Sequence, residues 1–209
     1  MIERHDYLNQ LIKFKDTNLI KIVTGIRRCG KSTLFDLYDD YLKNTGISEG
    51  QIIKINLEEP EYNFNDYMEL YNFVKERLQK DKMNYVFIDE VQNVDKFQKA
   101  VDGLFVQKNV DLYITGSNAY LLSGELATLL SGRYIEIKML PLSFKEYLSA
   151  FDDSVDKQEK LLDYFKYGSL PQTVELFKLD PDTINTYLDG VFSTVVYKDI
   201  MMRNNINNK

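Results

Sequence analysis

Short apolar runs, most of them closed by a glycine, an acid or a small polar residue, alternate with longer segments whose apolar residues recur every three or four positions. Residues 19–24 (LIKIVT), 51–57 (QIIKINL), 85–89 (YVFID), 111–115 (DLYIT) and 134–139 (YIEIKM) are rich in β-branched and aromatic residues and predict strands. Between them, residues 31–43 place Leu34, Leu37, Tyr38, Tyr41 and Leu42 at helical spacing. Residues 65–80 predict an amphipathic helix with Asn65 as its N-cap, and 94–107 and 119–130 predict two more. Strands alternating with helices imply βαβ units and a parallel sheet, and fully apolar strands imply burial on both faces.

After Pro141 the pattern becomes helical throughout, over 143–151, 157–167, 170–178 and 182–202. The last of these carries Ile184, Tyr187, Leu188, Val191, Phe192, Val195 and Val196 as one apolar seam. The expected organisation is an α/β core over residues 1–140 and a small all-helical domain over 141–209. The seam is long for a helix with nothing else to pack on, so a further C-terminal domain is expected beyond it.

Composition narrows the chemistry. One cysteine and one histidine in 209 residues leave no internal disulfide, no cysteine metal cage and little scope for zinc. No apolar run reaches membrane-spanning length, and the N-terminus lacks an apolar signal core. A cytoplasmic protein with no membrane partner is expected. The net charge of −6 weighs against wrapping nucleic acid by bulk electrostatics.

The strongest chemical signal is Gly25-Ile26-Arg27-Arg28-Cys29-Gly30-Lys31-Ser32, a G-x-x-x-x-G-K-S loop between a predicted strand and a predicted helix, with Thr33 next in line. Glycines let such a backbone turn several N–H groups onto one anion, and the helix that follows adds its positive end. Lys31 then reaches the β- and γ-phosphates and the Ser32 hydroxyl ligates Mg²⁺. An ordinary glycine-bearing strand–helix turn is the plain alternative.

The predicted strand at 85–89 ends in Asp89-Glu90. Carboxyl ends of parallel strands face the ligand crevice. Asp89 is the candidate to hold Mg²⁺ from behind its direct ligands or through water, and Glu90 to orient and deprotonate an attacking water. The strand at 111–115 runs into Gly116-Ser117-Asn118, where Ser117 or Asn118 is a candidate contact to the γ-phosphate or a helix N-cap, two compatible roles. Arg133, one of six arginines, follows Ser131-Gly132 and is either a helix C-terminal cation or a guanidinium acting in trans on a neighbouring copy.

Taken together, IVTGIRRCGKSTL, FIDEVQ, ITGSNAYLL, LSGRY and LPLSFKEYL resemble AAA+ superfamily P-loop ATPases, more closely the prokaryotic group whose loop reads G-x-R-R-x-G-K-S/T. The resemblance implies a P-loop NTPase fold with a five-stranded parallel sheet in the order 5-1-4-3-2, flanked by helices, and a helical lid. It implies ATP and Mg as ligands, Lys31 and Ser32 as Walker A, Asp89 and Glu90 as Walker B, Ser117 or Asn118 as sensor 1, and Arg133 as arginine finger. Asn56 resembles the polar residue that holds the catalytic glutamate inactive. Gly168-Ser169-Leu170-Pro171 resembles the Gly-Gly-x-Pro turn near the adenine, with Ser169 at its second position. No lid arginine matches sensor 2, since residues 141–202 contain none. Members of the group continue into a C-terminal domain through which a nucleic acid or protein partner is expected.

The expected function is an ATP hydrolase, with a homo-oligomer if Arg133 acts in trans. The alternative is a nucleotide-gated switch with little turnover. A small-molecule kinase fits less well without lid arginines, and no N-K-x-D segment supports a GTPase.

Overall fold

The computed structural model describes residues 2–116, 130 and 132–197. The chain divides into two compact units, one of Arg4–Ile26 and Lys31–Met139, the other of Met1–Glu3, Arg27–Gly30 and Leu140–Lys209.

The first unit is α/β. Its elements are α1 (His5–Lys13), β1 (Ile20–Gly25), α2 (Lys31–Asn44), β2 (Ile52–Asn56), α3 (Tyr67–Arg77), β3 (Asn84–Asp89), α4 (Phe97–Phe105), β4 (Val110–Thr115) and β5 (Tyr134–Met139). The five strands form one sheet in the order β2-β3-β4-β1-β5, parallel throughout. This is the order expected from the family resemblance, counted from the other edge. β1 and β3 are buried at every position, whereas β2, at an edge, alternates. Central strands carry helices on both faces and edge strands do not, which is why the former are buried along nearly their whole length.

Each sheet face has its own core. Ile20, Ile22, Ile55, Val86, Ile88, Leu112 and Ile114 pack with Leu70 and Val74 of α3 and Ala100, Val101 and Leu104 of α4. The alternate residues Phe87 and Tyr113 make ring contacts with Phe35 and Tyr38 of α2.

Local chemistry corrects several expected boundaries. The helix expected at 65–80 is the shorter α3, and its N-cap is Asp66, not Asn65. The Asp66 carboxylate accepts from the Met68 and Glu69 N–H groups, while Asn65 donates to the Glu69 carboxylate from outside the helix. The helix expected over 94–107 spans only Phe97–Phe105. α1 was not expected. It is nine residues long with Leu11 as its one fully buried residue, and although Tyr7, Leu8, Leu11 and Ile12 recur at helical spacing, Arg4 at its N-cap makes no side-chain cap bond and gives no start signal. The helix expected at 119–130 lies outside the described residues except for Leu130, which is buried.

The second unit contains α5 (Phe144–Leu148), α6 (Lys157–Tyr167), α7 (Pro171–Leu179) and α8 (Thr183–Thr194). α5 opens on a capping box in which Ser143 and Glu146 satisfy each other's backbone N–H. Leu142, Tyr147 and Val174 form the core, with Ile2, Phe144, Phe151 and Tyr164 packed on it. Burial pushes the Tyr147 phenol up to about 12. The seam expected over 182–202 is interrupted: Ile184 is buried, but Phe192 is 69% exposed. Positions 198–202 lie outside the described residues. Among the described residues no helix is long and apolar enough to cross a membrane.

Candidate functional site

β1 delivers the chain to Gly25 at the carboxyl edge of the sheet, and α2 starts six residues later at Lys31. Two residues between them take positive φ, Arg28 at 63° and Gly30 at 100°. Glycine does so freely, whereas Arg28 does so at a cost. Right- and left-handed residues in succession turn backbone N–H groups into an anion-binding concavity. Ile26 is 51% exposed and Cys29 fully buried. Arg27 is half-buried, Arg28 and Ser32 are exposed, and Thr33 is half-buried.

The Lys31 side chain is buried and turned back along the loop. Its ammonium donates to the carbonyls of Ile26 at 3.3 Å and Gly25 at 3.5 Å. It lies 3.7 Å from Glu90 Oε1. The loop after β1 and the acid after β3 therefore meet at one point, although neither strand neighbours the other in the sheet.

Asp89 ends β3 and is 6% exposed. The Thr115 hydroxyl, at the end of β4, donates to Asp89 Oδ1 and accepts from the Glu90 N–H at 3.1 Å. Glu90 takes a left-handed φ of 54° and opens a 3-10 turn, Val91–Asn93. Its Oε2 accepts from Gln92. Thr115 and Gln92 were not singled out from the sequence. Thr115 was findable, because it closes the strand next to the acidic one and is the last apolar-run residue able to donate.

Ser32 and Asp89 line one cleft of about 260 Å³ together with Asn56, Glu59, Tyr62 and Lys54. Burial alone lowers the affinity of Lys54 for its proton, but hydrogen bonds and charge from Asp36 and Asp39 outweigh it and raise the pKa. A hydroxyl and a carboxylate facing one cleft are hard oxygen donors of the kind Mg²⁺ takes. Among the described residues no three His, Cys, Asp or Glu side chains converge into a metal cage. The Ser32 hydroxyl and the carboxylates of Asp36, Glu59 and Asp89 are oxygen donors that line the cleft.

Register sets Asn56 opposite Asp89. Its amide nevertheless donates to Glu59 at 3.1 Å, and its carbonyl oxygen accepts from the Glu58 N–H. Arg133 stands apart. Its carbonyl accepts from the N–H of Ile20, the first residue of β1, and its guanidinium pairs with Asp102 while 47% exposed. Five residues of strand, about 17 Å at ~3.3 Å each, separate that level from Gly25. A guanidinium there is out of reach of this chain's own loop. Ser117 and Asn118 lie outside the described residues.

Pro171 is the first residue of α7, where its missing N–H and fixed φ suit a helix start. The positive φ of the preceding turn falls on Gly168, at 80°, and not on Ser169. A serine at the second position is therefore compatible with the turn.

The chain is similar to other proteins in sequence and in fold. An AAA domain profile matches residues 17–148. An uncharacterized protein of Haemophilus influenzae is 47% identical over 97% of this chain and 51% of its own length. One of Methanocaldococcus jannaschii is 32% identical over 91% of this chain and 44% of its own. The chain spans about half the length of these curated relatives. Among solved structures, the Walker-type ATPase Paby2304 of Pyrococcus abyssi aligns with a TM-score of 0.60 at 16% identity, covering 98% of this chain and 74% of that one. AMPPCP-bound DnaA of Aquifex aeolicus aligns at 0.54 and 12%, covering 96% and 64%. At such identities the likeness is one of fold. With the profile matching most of its length and the sheet in the same arrangement, the chain belongs to the AAA domain family of AAA+ P-loop ATPases.

Proposed function

We propose that this chain binds ATP with Mg²⁺ at the loop of residues 25–33 and hydrolyses it. The observation that carries the reading is the meeting of the Lys31 ammonium with Glu90 at 3.7 Å, at the edge where α2 points its positive end. Lys31 exchanges its long bonds to the Gly25 and Ile26 carbonyls for phosphate oxygens, which are stronger acceptors. The backbone of Gly25, Ile26, Arg27, Arg28, Cys29 and Gly30 surrounds the phosphates, with Ser32 and Thr33 at the helix start.

Ser32 and Asp89 are the residues that would hold Mg²⁺, which supplies charge neutralisation across the phosphate oxygens. Glu90 orients water and takes its proton, and Ser117 or Asn118 contributes a hydrogen bond to the γ-phosphate or the water. Arg133 acts from a second copy, in a homo-oligomer. The helical unit serves as a lid, with the turn before Pro171 near the adenine. A nucleic acid or protein partner is assigned to the half of the relatives that this chain does not match, and the cytoplasm is the proposed location.

Lys31→Ala should abolish Mg-ATP binding by calorimetry. Glu90→Gln should keep binding and lose hydrolysis by roughly 10²–10⁴-fold, the usual worth of a general base. Loss of both in the Glu90 variant would make that residue structural and overturn its assignment as base.

A nucleotide-gated switch is the second reading. It is favoured by the engagement of Glu90 with both Lys31 and Gln92, which occupies the carboxylate that hydrolysis needs free. Steady-state turnover at saturating ATP well above ~0.1 per second, against ordinary values of 1–10³, favours hydrolysis.

A further inference from the structure

Arg28 lies at the fourth position of the phosphate loop, and its side chain is held by the helical unit to which Arg27–Gly30 belong. Its guanidinium carbon sits 5.4 Å from the centre of the Tyr187 ring on α8. The two side chains line a cavity of about 530 Å³ with Gln172, Leu176, Thr183 and Thr186. Residues 141–202 supply no arginine, so the cation in this contact comes from the loop and the acceptor from the helix.

Two details say what the contact does. Arg28 has a left-handed φ of 63°, a conformation that a non-glycine residue keeps only where its surroundings impose it. The Tyr187 hydroxyl is buried and has no hydrogen-bond partner among the described residues. The ring face is thus what Tyr187 contributes, and an aromatic face attracts a guanidinium by its quadrupole.

We propose that Tyr187 is a positioning residue for the phosphate loop: its ring anchors the Arg28 guanidinium, which fixes the left-handed turn and ties the loop's conformation to α8. The part concerning nucleotide rests on the reading of this loop as the ATP site. A loop that must be in this conformation to wrap a triphosphate binds it more weakly when the anchored state is less populated.

The chain carries its own reporter. Cys29 is the sole cysteine, follows Arg28 directly and is fully buried, so its alkylation by iodoacetamide without nucleotide reads opening of the loop. Tyr187→Leu and Arg28→Gln should each speed labelling about threefold to fivefold, the range a partly exposed cation–π contact supports. The double variant should be no faster than either single one, and Tyr187→Phe should label at the parent rate. Mg-ATP affinity should fall by a similar factor in the same two variants and hold in Tyr187→Phe.

Unchanged labelling in both single variants, additive effects in the double one, or a Phe variant behaving like Leu would each overturn the proposal. Arg28→Gln changes an exposed side chain and carries the test should Tyr187→Leu fail to fold. If the parent chain binds no ATP while labelling follows the expected pattern, the nucleotide reading falls and the anchoring contact stands. If ATP binds and labelling is indifferent, the contact falls alone.

Discussion

Two clusters of buried charge occupy opposite ends of the same sheet. At the amino ends of β1 and β4, Lys21 and Asp111 form an ion pair with side chains 0% and 1% exposed. Asp111 also accepts from the Tyr113 hydroxyl at 2.7 Å and the Asp16 N–H at 2.8 Å. Lys21 donates further to the Thr17 carbonyl at 3.0 Å. At the carboxyl ends of β1 and β3, Lys31 has two bonds of 3.3 and 3.5 Å to carbonyls and an ion pair at 3.7 Å. The first cluster is closed, with donors and acceptors matched at short range, whereas the second holds a buried cation loosely. Loose satisfaction of a buried charge marks a place where a ligand can do better than the protein does. Burial of charge alone marks nothing.

The contrast can be broken most severely at Asp111. Asp111→Asn keeps the shape but turns an amide against three donors and leaves the Lys21 ammonium unpaired. Removing one partner of a buried pair costs about 3–5 kcal/mol, read as a lower urea midpoint. Burial already pulls the Lys21 pKa below its ordinary value in spite of Asp111, so little compensation is at hand. Mg-ATP affinity of the folded variant should match the parent, because this cluster lies at the far end of the strands. A large loss of affinity in folded protein would join the two clusters into one site.

A smaller change sharpens the second cluster. Thr115→Val removes the donor to Asp89 and strands the Glu90 N–H, at about 1–3 kcal/mol in stability. Residues that orient a metal ligand typically carry 10–100-fold in metal affinity. The Mg²⁺ concentration for half-maximal ATP hydrolysis should therefore rise about tenfold or more, and Thr115→Ser should restore it. A metal dependence unmoved by Thr115→Val would detach Asp89 from the metal.

How much of this was legible beforehand follows from what each residue depends on. The strands show in the sequence because β1 and β3 are buried on both faces, and the phosphate loop because its spacing is local. α1 was missed although Tyr7, Leu8, Leu11 and Ile12 recur at helical spacing, because the stretch is only nine residues long and Arg4 at its N-cap gives no start signal. The cap of α3 was misplaced by one residue because Asn65 and Asp66 are both good caps and only backbone geometry chooses between them. Thr115 and the Arg28–Tyr187 contact depend on residues 25 and more positions apart, which no spacing rule encodes. The distance of Arg133 from its own loop follows from strand direction, and so became visible only with the sheet.

The finest test lies in the closed cluster. The Tyr38 hydroxyl is 2.9 Å from that of Tyr113, which itself donates to Asp111, so Tyr38 must be the donor between the two tyrosines. Tyr38→Phe should cost about 1 kcal/mol near pH 8 through that lost bond. Burial raises the Tyr38 pKa above the ordinary 10.0. A phenol with a raised folded-state pKa contributes stability that is whole below the unfolded value and is lost as pH climbs past it, because only the unfolded chain releases the proton. Above pH 10 the parent should lose about 1.4 kcal/mol per pH unit on this account, a loss that the Phe variant escapes. The gap between the two melting curves should therefore shrink with pH and close near about pH 11. A gap constant from pH 8 to 11 would mean that Tyr38 titrates alike in both states, and that the amino-end cluster is open to water after all.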